Sequence, residues 1–157
     1  MKLGKKIAWA LLIAFVAIQF YRPERNESTG EHLSKFLSET NPPEQVTGIL
    51  ESSCYDCHSD HTNYPWYNQV APVSWWLEDH IEEGKEHLNF SAWDSYSSKK
   101  KDHKLEELIE EVEEGEMPLK EYTWTHADAN LTEQQRQAVM DWAQQTRTLY
   151  QLGAPPK

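Results

Sequence analysis

Apolar positions along the chain fall into one unbroken block and four spaced patterns. The block runs from Ile7 to Phe20, between Lys2, Lys5 and Lys6 on one side and Tyr21-Arg22-Pro23-Glu24 on the other. Residues 22–40 are polar, with Pro, Gly and mixed charge, and predict a tether with at most a helical turn around Leu33 to Leu37. Asn41-Pro42-Pro43-Glu44 predicts a helix start, with Asn41 as N-cap and prolines in the first turn. Val46, Ile49 and Leu50 share one face of that helix, which is expected to run directly into Cys54. After a turn-rich loop, Pro72-Val73-Ser74 opens a second helix with Trp76, Leu77, His80, Ile81 and Leu88 near a 3–4 period. Gly84 weakens that helix by about 1 kcal/mol relative to Ala, or marks close packing. Asn89 to Trp93 interrupts it.

A charged helix follows Ser97-Ser98, with Leu105, Leu108, Ile109 and Val112 as a narrow apolar stripe and Gly115 as its stop. Glu116 to His126 reads as irregular. Thr132 and Gln135 form a capping box for a last helix that buries Val139, Trp142, Ala143, Leu149 and Tyr150 and ends at Gly153-Ala154-Pro155-Pro156. No alternating strand pattern and no repeat occurs. The fold class is therefore all-α: an anchor or signal peptide over 1–21, a tether over 22–40, and one helical domain over 41–152.

The basic start and apolar run resemble an export signal. A helix over Ile7 to Phe20 reaches roughly 21 Å, against roughly 30 Å of hydrocarbon, with lysines and Trp9 and Tyr21 to extend it. With no small-x-small cleavage site, an uncleaved signal anchor is expected, the basic end in the cytoplasm and the domain in the bacterial periplasm. A formal charge of -11 over 157 residues argues against nucleic acid and favours a basic protein partner. Seven Trp suit aromatic walls around something large and flat, or ordinary core anchors.

Cys54-Tyr55-Asp56-Cys57-His58 is the chemistry-bearing stretch. C-x-x-C-H is the signature of covalent c-type haem attachment: two thiols three positions apart reach neighbouring vinyl groups of one macrocycle, and the next residue brings an imidazole to the iron. The chain has no other cysteine to compete for these two. A thioredoxin-like dithiol would place the motif after a strand, and zinc would need a fourth ligand at a recognised spacing, so both fit less well.

A helix leading into C-x-x-C-H, a later Met-Pro and a last helix carrying Trp resemble the order of class I cytochromes c. With Tyr64-Pro65-Trp66-Tyr67, Ala71 to Trp76, His80, Gly84, His87 to Ser91 and Met117-Pro118-Leu119, the chain more closely resembles the haem-binding-domain family of exported bacterial proteins. The resemblance covers roughly residues 40–150 and implies one covalently attached haem c on a small cytochrome c-like helical fold. Cys54, Cys57 and His58 are then cofactor-binding, with His58 as proximal iron ligand. Met117, stiffened by Pro118, is the preferred sixth ligand; His80, His87, His61 and His126 are its rivals. Trp66, Trp75, Trp76 and Trp142 are candidates for the haem wall. With both axial positions filled, a one-electron carrier and not an enzyme is expected; an open distal site would make a haem sensor or peroxidase-like enzyme instead.

Overall fold

A computed structural model describes residues 3–153. Lys2 and the expected stop at Ala154-Pro155-Pro156 lie outside the described residues. Among the described residues the chain is helical, its one extended pairing being an isolated bridge between Glu27 and His61. The eight α-helices are α1 (Leu3–Ile18), α2 (Ser34–Thr40), α3 (Glu44–Ser53), α4 (Tyr55–His58), α5 (Val73–His87), α6 (Ser98–Glu114), α7 (Lys120–Thr123) and α8 (Glu133–Gln151).

Helix α1 is apolar on every side from Ile7 onward, after Lys5 and Lys6, and buries none of its residues. Its 16 residues rise about 24 Å, and no helix among the described residues is long and apolar enough to cross a membrane. The membrane-spanning helix expected over 1–21 is therefore not found in α1. Its foot is instead fastened to the domain. The Gln19 amide exchanges two hydrogen bonds with the backbone of Ala71, at 3.0 and 2.9 Å, and Arg22 donates to the Gln69 carbonyl at 2.7 Å.

Residues 22–40 are not a free tether. Glu27 bridges His61, and Ser28 N–H donates to the Asp60 carbonyl. Helix α2 then carries Phe36 into the centre of the core, where it is fully buried. Its ring lies 4.6 Å from Phe90 and edge-on to Trp93 and Trp142, at 5.2 and 6.0 Å, distances at which aromatic pairs are attractive beyond their buried area. Asn41 is correspondingly not an N-cap. It closes α2 in the left-handed conformation (φ 39°, ψ 57°), and Pro43 takes the N-cap position of α3.

Around Phe36 the core gathers Val46 and Leu50 from α3, Leu105 from α6, and Val139, Trp142 and Ala143 from α8. Helices α6 and α8 pack along each other through their stripes, except that Leu149, expected on the buried side of α8, is exposed because it faces away from α6 and the core. Ser97 caps α6, Gly115 closes it at φ 77°, and the Thr132–Gln135 capping box opens α8. A polar clamp joins α2 to both: Lys101 donates to both oxygens of Glu39 at 2.7 and 2.8 Å, and Tyr150 donates to the same carboxylate at 2.7 Å. Phe36→Ala removes the side chain on which four aromatic neighbours, Tyr55, Phe90, Trp93 and Trp142, converge. We expect a loss of about 3–5 kcal/mol in chemical denaturation; a loss under about 1 kcal/mol would return the segment to the status of a tether.

Candidate functional site

Helix α3 does not run smoothly through the motif. The backbone breaks at Cys54 (φ -127°), and α4 starts as a new single turn, its His58 N–H donating to the Cys54 carbonyl at 2.9 Å. This turn brings both thiols and the imidazole to one place. Cys54 and Cys57 are free thiols. Burial pushes each of them up to about 12, with the neighbouring Cys57 adding to the effect at Cys54 and Asp56 at Cys57. A dithiol redox centre needs the opposite, a lowered pKa and a standing thiolate. The surroundings therefore disfavour the thioredoxin-like alternative.

His58 has one nitrogen committed. Its Nδ1–H donates to the Leu88 carbonyl at 2.9 Å, just past the end of α5. That bond fixes the tautomer and leaves the Nε2 lone pair as the free donor, the usual arrangement of a metal-ligating imidazole. Burial holds the ring below the ordinary histidine range, opposed in part by its bond to the Leu88 carbonyl. The imidazole is thus neutral and able to ligate at neutral pH.

Gly84 supplies the room for this packing. A Cβ at that position would lie 2.8 Å from the Cys57 carbonyl oxygen and 3.2 Å from its Cβ. The close approach of α5 to α4 that carries Leu88 to His58 therefore depends on glycine.

Three further clamps hold the motif. Asp56, inside it, accepts from the Asn63 N–H and side chain at 3.0 and 3.1 Å, and from the Tyr122 hydroxyl at 2.8 Å. Tyr122 in turn stacks on His126, ring centroids 3.9 Å apart. Beyond the motif, Asn26 donates to the Ser59 carbonyl at 2.8 Å and to Thr62 Oγ1 at 2.9 Å. Lys85 reaches both Asn26 and Asp60, at 2.8 and 2.7 Å. Neither Asp56–Tyr122 nor Asn26 was singled out by the sequence, because polar residues in a loop carry no periodic signal.

Met117 lies half-buried in the link between α6 and α7, its N–H bonded to the Glu111 carbonyl. The same link leads to Tyr122, so it is fastened to the motif through Asp56. His80 does not sit on the buried face of α5: that stripe is Ser74, Leu77, Ile81 and Gly84, and His80 bonds the Trp76 carbonyl of its own helix at 2.8 Å. His61 bonds the Ser28 carbonyl, and His87 is exposed. His126 is the one rival histidine tied to the motif, through Tyr122.

Among the tryptophans, Trp142 belongs to the core and donates to the Thr40 carbonyl, and Trp75 donates to the Tyr21 carbonyl at the foot of α1. Trp66 is exposed, as is Trp124, which the sequence reading passed over. Their loops are joined by the Tyr67–Thr125 hydroxyl contact at 2.9 Å. A surface cleft of about 370 Å³ between Thr40, Pro43 and Trp142, and another of about 260 Å³ between Arg25, Tyr64 and Glu78, contain no motif residue. Among the described residues no group of three or more His, Cys, Asp or Glu is placed to hold a bare metal ion.

The donor set fits haem: two thiols, one free imidazole nitrogen and a helix packed close by glycine. A family model described as a haem-binding domain matches residues 13–145. No curated protein and no solved structure matches the chain.

Proposed function

The chain belongs to the haem-binding domain family, and from that premise we propose that it is a c-type cytochrome-like electron carrier of the bacterial cell envelope. The observation that carries the reading is the His58 geometry: an imidazole tied through Nδ1 to Leu88, free at Nε2, in the same helical turn as two unpaired thiols. Cys54 and Cys57 would hold the haem vinyl groups as thioethers, and His58 and Met117 would be the iron ligands. When bound, haem supplies one-electron redox chemistry at iron.

The chain's own residues do the rest. Leu88 orients the imidazole, Gly84 lets α5 come close enough to do so, and Asp56 with Tyr122 fastens the α6–α7 link to the turn that carries the thiols. Two protein ligands leave no position for substrate, which makes the protein a carrier and not an enzyme. The charge of -11, with Glu110, Glu111, Glu113 and Glu114 exposed along α6, favours a redox partner with a basic face. The export-like N-terminus supports a domain on the periplasmic side, where c-type haem is attached in bacteria. Helix α1, apolar all round from Ile7 onward, would hold it at the cytoplasmic membrane.

Met117→Ala tests the sixth ligand. The oxidised wild-type protein is expected to show a weak near-infrared sulfur-to-iron band that the variant loses, with a fall in reduction potential if a histidine takes the place. A band that persists in the variant would remove Met117 from the iron. If wild type shows no such band, His126→Ala becomes the variant that must change the spectrum.

A further inference from the structure

The foot of α1 is surrounded by apolar side chains that the core does not use. Phe20 and Tyr21 are 85% and 68% exposed. Val70, Val73 and Trp76, at the start of α5, are exposed as well. These residues are brought to one level by contacts and not by sequence: the Gln19 clasp joins the end of α1 to Ala71, and the Trp75 indole N–H donates to the Tyr21 carbonyl with the two rings 5.6 Å apart. Arg22 is held at the same level by its bond to Gln69. We propose that this collar of Phe20, Tyr21, Val70, Val73 and Trp76 rests on the lipid headgroup interface and fixes the orientation of the domain on the membrane. The inference rests on the membrane tether through α1 proposed above.

Lipid is the occupant that the surroundings favour. A protein groove takes a helix by one apolar stripe, whereas α1 beyond Lys6 is apolar all round and suits a solvent of the same kind, with Lys5 and Lys6 confined to its first turn. The collar is continuous with that helix. It has the composition of a membrane interface, where aromatic rings with one wet edge concentrate, and Arg22 offers a cation to headgroup phosphate. The acidic face of α6 is not part of it. The backbone clasps make the junction stiff, so the domain has one presentation to a partner and does not swing on a flexible leader.

Photo-crosslinking of the full haem-loaded chain in phosphatidylethanolamine–phosphatidylglycerol vesicles tests this. A p-benzoylphenylalanine replaces Val73, Trp76, Phe15 in α1, or the exposed Glu113 in α6, one at a time. Lipid adducts are expected at Val73 and Trp76 at the level found for Phe15, and at Glu113 only background. Adducts at Phe15 with background at both Val73 and Trp76 would overturn the collar and leave the tether standing. Crosslinks from Val73 or Trp76 to a second copy of the chain would overturn it in favour of a protein interface. A chain that neither floats with the vesicles nor forms adducts at Phe15 would overturn the tether and the collar together.

Discussion

Cys54→Ala combined with Cys57→Ala is expected to convert haem retained by the denatured chain into haem that passes entirely into acidified acetone. The change would be all-or-none because a thioether survives denaturation, while ligation by His58 and Met117 alone would not. Both thiols are half-buried and held neutral in a turn fixed by α3, Asp56 and Gly84. Each single variant should keep haem through the remaining sulfur, with a red-shifted reduced spectrum from the unreacted vinyl group. Haem that stays with the denatured double variant would mean that another residue bears the covalent link.

Gly84→Ala is expected to be the most damaging single-methyl change in the domain. Alanine gains about 1 kcal/mol over glycine in helix propensity. The added carbon, however, would lie 2.8 Å from a backbone oxygen and 3.2 Å from the Cβ of Cys57, neither of them the end of a flexible side chain. Helix α5 must move back, carrying the Leu88 carbonyl away from His58 Nδ1. Overpacking of this kind costs about 1–3 kcal/mol. The expected result is a melting temperature lower by several degrees, a smaller haem-loaded fraction after maturation, and a changed reduction potential in the part that loads. Gly48→Ala, whose Cβ meets nothing within 4 Å, should do none of these. Equal stability and haem content in the Gly84 and Gly48 variants would show that the helix contact is not what positions the imidazole.

The parts of this molecule that sequence made visible are the local ones. C-x-x-C-H, the capping box at Thr132, the stop at Gly115 and the stripes of α6 and α8 are each specified within a few residues. Gly84 could be suspected of close packing, but only the structure shows that its neighbour is Cys57. Residues 22–40 were misread because composition does not reveal a partner: Phe36 is one apolar residue in a polar stretch, and its burial is decided by Phe90, Trp93 and Trp142 far along the chain. Asn41 misled for a related reason, since asparagine serves both an N-cap and a left-handed C-cap. The tie from His58 to Leu88 was out of reach altogether, because a backbone carbonyl leaves no mark on residue identity. Asp56 and Tyr122, 66 positions apart, pair through ordinary polar side chains that no spacing rule connects.

Absorption spectroscopy of the wild-type chain, matured with c-type haem and recorded oxidised and reduced, with and without carbon monoxide, tests the central claim most directly. A c-type spectrum that carbon monoxide leaves unchanged is expected if His58 and Met117 both ligate the iron. A large carbon monoxide shift would show an open distal site and move the protein to the sensor or peroxidase-like class; a chain that takes up no haem at all would contradict the reading at its root.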